Sequence, residues 1–419
     1  MKTLVTLTCL LLLVPGRLAA QAADGTEERL KALEERIQAL EAEVQDLKAA
    51  QATLAAPAAQ TPAAESAPSQ PMTVQAPAGT AGTTSQALPY YGSRNTAAKV
   101  LNPDISMIGD FLATAGHNEI QPVPGLELHE AELGLQSIVD PYARADVFLS
   151  FGQEGVELEE GYLTFTSLPG GFVTKVGKMR SSFGVVNTLH NHVLPWTDRP
   201  MVTENLVGGE DGISDVGVSV SRILPAPGDT FLEGTAEVFR GESGDVFASQ
   251  RNRDVSFVGR LRGYRDLSDS TNLDMGVSYA RGHNELGSAF ITQLYGMDAT
   301  LRWKPLRRAI YHSVLARTEL FWSDRDLLTN TQRAFGFYTS ADYRLNRRWT
   351  VGGRYDRSGR AQEADMTDSG YSALLTYWPS EFSQLRGQYR YARYAEGVTG
   401  NELRFQLLFS LGAHGAHPF

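Results

Sequence analysis

The chain has 419 residues, a net charge of −10 and a single cysteine, Cys9. The length suits a large domain, and the acidic balance argues against a nucleic-acid binder. The one thiol lies in an N-terminal apolar run, so a mature chain without that run has no disulfide, thiolate zinc site, iron–sulfur cluster or cysteine nucleophile.

That run, "MKTLVTLTCLLLLVPGRLAAQAA", has the layout of a secretory signal peptide over residues 1–22. Lys2 supplies the positive end, Leu4 to Val14 the apolar core, and Ala20-Gln21-Ala22 the small-residue cleavage site. Within residues 24–54, Leu30, Leu33, Ile37, Leu40, Val44, Leu47 and Leu54 recur at alternating steps of three and four, with Gln51 as the polar break. This spacing predicts a short coiled coil that associates with further copies, and β-branched a positions with leucine at d lean toward two strands. Residues 55–98 are rich in Ala, Pro, Thr and Ser and read as an extended, disordered linker.

From residue 99 to 419 the pattern changes to short stretches of alternating apolar and polar residues separated by turn signals. Sixteen such segments run from near 105–115 to 401–412, the length expected of tilted membrane strands. One face carries Tyr295, Met297 and Leu301, then Phe335, Phe337 and Tyr343, then Leu403, Phe405, Leu407 and Phe409. The other carries Arg302, Arg317, Arg344, Arg354, Arg386, Arg390 and Arg404. Arginines in mid-strand are solvated if the sheet closes around water, with lipid outside. Aromatic residues at strand ends, Trp303, Tyr343, Trp349 and Tyr377 at one level and Trp322, Phe335, Tyr355, Tyr371 and Tyr391 at the other, fit two interfacial girdles. The predicted fold is all-β: a sixteen-stranded antiparallel transmembrane β-barrel preceded by the coiled coil and the linker. It places the chain in a Gram-negative outer membrane, with the coiled coil in the periplasm and outer-membrane lipid as a partner.

Residues 181–212, after the fifth strand, form the longest connection and carry His190, His192, Asp198, Arg199, Glu204, Glu210 and Asp211. A loop of this length needs a function, and its Val, Leu, Trp and Phe content suggests that it packs inside the barrel as a constriction loop. The favoured reading of His190 and His192 is hydrogen bonding that pins the loop to the wall. A metal site is the lesser reading, and no metal or other cofactor is assigned. No serine–histidine pair suited to hydrolysis is evident, so an enzyme is not expected.

The stretches "NPDISMIGDF", "VELEEGYLTF", "KVGKMRSSFG" and "NTLHNHVLPWTDRP" resemble bacterial outer-membrane porins of the phosphate-selective O/P-like group, over roughly residues 100–419. The resemblance implies a sixteen-stranded, usually trimeric channel with a basic lumen. Trimers are therefore favoured over the dimer that the coiled coil suggests. The expected function is passive, anion-preferring diffusion of small hydrophilic solutes such as phosphate. The arginine wall would line the pore, and Asp198, Glu204, Glu210 and Asp211 would face it from the loop. Two other readings are weighed. In one, the barrel is a structural anchor that tethers peptidoglycan or a periplasmic partner through the coiled coil. In the other, it is a metal or nutrient uptake channel.

Overall fold

The computed structural model describes residues 103–153 and 155–412; the expected signal peptide, coiled coil, linker and terminal Phe419 lie outside them. Sixteen strands follow in chain order: β1 (Asp104–His117), β2 (Leu126–Asp140), β3 (Ala143–Gly152), β4 (Gly155–Leu168), β5 (Phe172–Arg180), β6 (Ser214–Leu224), β7 (Thr230–Phe239) and β8 (Ser256–Ser268). The second half comprises β9 (Thr271–Asn284), β10 (Gly287–Trp303), β11 (Ser313–Asp326), β12 (Thr331–Arg344), β13 (Trp349–Gly359), β14 (Thr367–Ser380), β15 (Ser383–Arg393) and β16 (Thr399–Gly412). Each pairs antiparallel with its sequence neighbour, and β1 also pairs with β16. Closure leaves no sheet edge, so every strand satisfies its backbone groups within the barrel.

Period-two alternation sets the two faces. Along β16, Leu403, Phe405, Leu407 and Phe409 are exposed, whereas Glu402, Arg404, Gln406 and Leu408 are buried. Phe405 is 52% exposed and Arg404 only 6%, the inverse of a water-soluble barrel. The exposed apolar side chains continue around the barrel through Met275, Val277, Tyr295, Met297, Tyr371, Leu375, Leu385 and Tyr389. A belt of this extent is a surface built to meet hydrocarbon. Outward aromatics pack along it: Trp349 on Tyr377 with ring centroids 4.5 Å apart, Tyr355 on Tyr371 at 4.8 Å and Trp322 on Phe335 at 5.1 Å.

Alternation fails at two places that matter for the interior. Asp110 pairs with Glu130 and Phe111 with Leu128, so His129 is an extra residue in β2. Phe148 pairs with Glu160 and Leu149 with Leu158, so Glu159 is an extra residue in β4. A β-bulge re-aims side chains. As a result Glu159 and Glu160, consecutive in sequence, are both buried, whereas Leu158 points out at 40% exposure.

The end of the barrel carrying residues 181–213 does not hold uniformly long loops. Its β9–β10 connection spans only Glu285 and Leu286. Length is concentrated in the β5–β6 connection and in residues 240–255 between β7 and β8.

Candidate functional site

The β5–β6 loop folds into the barrel. It contains two short 3-10 turns, Val186–Thr188 and Asn191–Val193, and one helical turn, α1 (Met201–Leu206). Asn187 closes its neck: Nδ2 donates to the carbonyls of Ser181 (2.9 Å) and Ile213 (3.0 Å), and Oδ1 accepts from the Ile213 N–H (2.8 Å). Arg199 staples its interior, with Nη2 donating to the Leu189 carbonyl (2.7 Å), Nη1 to that of Val186 (3.2 Å) and Nε to Asn191 Oδ1 (3.1 Å). Arg199 therefore acts within the loop and does not line a pore.

On one side the loop meets an acidic wall. His190 Nδ1 lies 2.5 Å from Glu132 Oε2 and 3.1 Å from Glu159 Oε2, and its Nε2 lies 2.9 Å from Glu160 Oε2. His192 Nδ1 lies 3.3 Å from Glu130 Oε1 and 3.7 Å from Glu132 Oε2. Burial would lower the His190 pKa, but its hydrogen bonds to Glu132, Glu159 and Glu160 win and raise it well above the ordinary value. Arg180, fully enclosed, pairs with Glu159 at 3.2 Å. Glu210 reaches the imidazole of bulged His129 at 3.1 Å, whose other nitrogen lies 3.4 Å from Asp110. That hydrogen bond holds the Glu210 carboxyl below its usual value. Asp211 lies 3.9 Å from Arg180, and burial raises its pKa.

Across the β1–β16 seam, on β13, β15 and β16, the loop meets a basic wall. Asp198 Oδ2 accepts from Arg354 Nη2 (2.8 Å) and lies 3.3 Å from Arg390 Nε, while Gln388 donates to its Oδ1. Burial alone would raise the Asp198 pKa, but Arg354, Arg390 and Arg404 outweigh it and hold the carboxyl well below the usual range. Arg386 donates to the Trp196 carbonyl at 3.1 Å and to Gln406 at 2.7 Å. Arg404 pairs with Glu402 at 3.1 Å. Glu204 accepts from Gln121 at 3.0 Å, and burial raises its pKa.

Elsewhere the loop packs on an apolar shelf formed by β8–β12 and β14. Phe183, Val186, Leu194, Trp196, Val202 and Leu206 from the loop pack against inward-facing Val258, Ala280, Leu294, Phe321, Tyr338 and Leu374. Phe183 sits 5.1 Å from Phe321, and Trp196 stands edge-on to Tyr338 at 5.2 Å with the Arg354 guanidinium 4.8 Å over its ring. Glycine is required where the loop touches this shelf: at Gly184, with φ of +66°, a Cβ would stand 2.8 Å from Phe321 and 3.0 Å from Glu319.

These contacts change the picture of arginines facing acids across water. Asp198 is in direct contact with Arg354 and Arg390, and Arg354, Arg386, Arg390 and Arg404 are each covered to 6% exposure or less. Glu210 and Asp211 lie at the other wall, beside His129 and Arg180. Arg302, Arg317 and Arg344 remain partly exposed, toward the end of β10–β12 away from residues 181–213. The functional residues not foreseen from sequence are Glu130, Glu132, Glu159, Glu160, His129 and Arg180. "LELHEAEL" and "VELEEG" carry the signal, but the two bulges that aim their carboxylates have no sequence signature.

No protein-family model matches the chain. Among solved structures it is similar to the anion-selective porin from Comamonas acidovorans (11% identity, TM-score 0.51, covering 73% of this chain and 98% of that one). It is also similar to the outer membrane channel DcaP of Acinetobacter baumannii (12% identity, TM-score 0.50, covering 74% and 96%) and to Salmonella typhi OmpF in complex with daunomycin (8% identity, TM-score 0.51, covering 74% and 97%). At these identities the likeness is one of fold, the sixteen-stranded porin-type barrel. In sequence the chain is 32% identical over 343 residues to an uncharacterized protein of Aquifex aeolicus (strain VF5), a match covering 72% of each chain. The chain belongs to the same family as this Aquifex aeolicus protein.

Proposed function

We propose that the chain is an outer-membrane porin of a Gram-negative bacterium, acting as a homotrimer and passing small hydrophilic solutes by diffusion. The observation that carries this reading is a closed barrel with an apolar outer belt and a charged interior into which the β5–β6 loop folds. Such a barrel needs no bond-making step. It lowers the cost of moving a polar solute through roughly 25–30 Å of hydrocarbon by supplying a polar path. The loop sets the width of that path, and fixed charge sets its preference.

The preference we propose is for anions of the phosphate class. Arg302, Arg317 and Arg344 supply the accessible positive charge. Arg344 stands beside the Trp378 ring at 5.8 Å, a neighbour that carries no opposing charge. A partly exposed guanidinium is suited to a passing oxyanion. Single-channel recording in planar bilayers under a salt gradient tests both parts. Discrete conductance steps with a reversal potential of anion sign are expected. Absence of steps overturns the porin reading, and a cation-sign potential overturns the anion preference alone.

One observation favours a second reading, the barrel as an anchor for the coiled coil at 24–54. The loop is clamped to both walls and to the apolar shelf, a packing more typical of a core than of a pore lining. In that case no conductance appears, and deletion of residues 24–88 detaches the outer membrane from the cell wall.

A further inference from the structure

The cluster at the acidic wall does more than a hydrogen-bonded pin requires. Glu130 and Glu132 from β2, Glu159 and Glu160 from β4, and His190 and His192 from the loop converge in a space where every one of them is buried. A single strand presents one inward residue in two. The bulge in β4 defeats that limit and delivers two successive carboxylates to one imidazole. The cluster holds four carboxylates, against the Arg180 guanidinium and the one proton that His190 shares with Glu132. Buried charge in such excess calls for a compensating cation.

We infer that Glu132, His190 and His192, with Glu130 or Glu159 as the fourth ligand, form a binding site for a divalent transition-metal ion of the zinc class. Ligand atoms of Glu132, His190 and His192 all lie within 4.8 Å of one another. Tetrahedral zinc with bonds of about 2.0–2.1 Å needs ligand atoms about 3.3–3.4 Å apart. The edges from His192 Nδ1 to Glu130 and Glu132 are 3.3 and 3.7 Å, and that from His190 Nδ1 to Glu159 is 3.1 Å. The edge between His190 Nδ1 and Glu132, 2.5 Å, is a hydrogen bond and lengthens when a metal takes the proton's place. Glu160 completes the arrangement. It sits 2.9 Å from Nε2 of His190, the nitrogen turned away from the metal position, where a carboxylate fixes the tautomer and orients the ring. Imidazole and carboxylate donors without thiolates suit zinc, cobalt or nickel more than copper(I). A metal here joins the loop to β2 and β4, so the site is also a structural bond between loop and wall.

The test uses the full-length protein, folded in detergent and stripped with chelator, and needs no conductance measurement. Zinc is titrated by calorimetry and bound metal counted after desalting. Wild type is expected to hold a single equivalent per chain, and His117→Gln, at an exposed histidine outside the cluster, to bind the same. Glu132→Gln and His192→Gln are expected to weaken binding at least tenfold, and Glu160→Gln, a positioning residue, by roughly ten- to a hundredfold. No stoichiometric zinc on wild type, or equal binding by all variants, overturns the site. X-ray absorption of zinc-loaded wild type reads the ligands independently of whether the variants fold. Two imidazoles with carboxylate oxygens are expected, and a shell without imidazole overturns the assignment.

Discussion

The two walls that hold the β5–β6 loop are built from opposite charge, and they differ in how much of that charge survives the loss of one partner. The wall of β2 and β4 offers Glu130, Glu132, Glu159 and Glu160, and the loop answers with His190 and His192. The wall of β13, β15 and β16 offers Arg354, Arg390 and Arg404, and the loop answers with Asp198. Without the loop, the basic wall keeps carboxylates of its own: Asp356 lies 2.7 Å from Arg354, and Glu402 lies 3.4 Å from Arg390 and 3.1 Å from Arg404. Among the described residues, the cation that the acidic cluster keeps in contact is Arg180. The loop is thus a counter-ion that the acidic side cannot do without, and one of several partners on the basic side.

This asymmetry predicts unequal costs. His190→Ala removes the group shared by Glu132, Glu159 and Glu160 and leaves buried carboxylates facing one another. Breaking a buried charge cluster from one side costs about 3–5 kcal/mol, read as a fall in the denaturation midpoint of the detergent-folded barrel. Asp198→Asn is expected to cost less, about 1.5–3 kcal/mol, the worth of a charge-assisted hydrogen bond, because Asp356 and Glu402 stay in place. If Asp198→Asn proves the more damaging of the two, the ranking of the walls is wrong.

Acid separates the walls further. The Asp198 carboxyl sits below its ordinary value in the folded chain. A depressed carboxylate contributes stability that is fully present above its unfolded pKa, about 3.9, and lost as pH falls through the folded value. The basic-side clamp therefore persists to below about pH 3.9. The difference in midpoint between wild type and Asp198→Asn should be the same at pH 7 and pH 5 and shrink only in stronger acid. A difference that fades already by pH 5 would show that Arg354 and Arg390 do not hold this carboxyl as the geometry requires.

How much of this was legible in the sequence follows from which signals are periodic. Alternation places Leu403, Phe405, Leu407 and Phe409 outside and Arg404 and Gln406 inside, because each residue reports its face by position alone. The loop is legible too, since its length and apolar content stand out from the turns around it. The apolar shelf is not. Phe321 and Leu294 sit at inward positions that pattern alone assigns to water, and only the loop's own Phe183 and Leu194 explain them. Nor are the bulges: alternation over "VELEEG" puts Glu159 and Glu160 on opposite faces, and only the register against β3 brings them to the same side. The pattern puts the arginines on the correct face, yet Arg354 and Arg390 end as loop contacts, because a side chain's direction does not tell what stands in front of it.

The smallest expected effect concerns the arginines that the loop leaves partly uncovered. Arg302 lies 3.6 Å from Asp274, a carboxylate it shares with Arg262 at 2.6 Å, so its charge is only partly balanced. The Arg344 guanidinium lies 5.8 Å from the centre of the Trp378 ring, a neighbour that carries no opposing charge. Replacing either by serine removes one accessible positive charge without unpairing a buried one. Folding should be unchanged within about 0.5 kcal/mol, as for surface substitutions generally, while the reversal potential in a salt gradient moves toward the cation side. The same serine exchange at Arg354 should instead weaken the fold, since that guanidinium holds Asp198 and Asp356 together. Were Arg302→Ser to leave ion preference untouched and Arg354→Ser to shift it in a fully folded barrel, the solute path would run along the basic wall beside the loop, and the uncovered arginines would be bystanders.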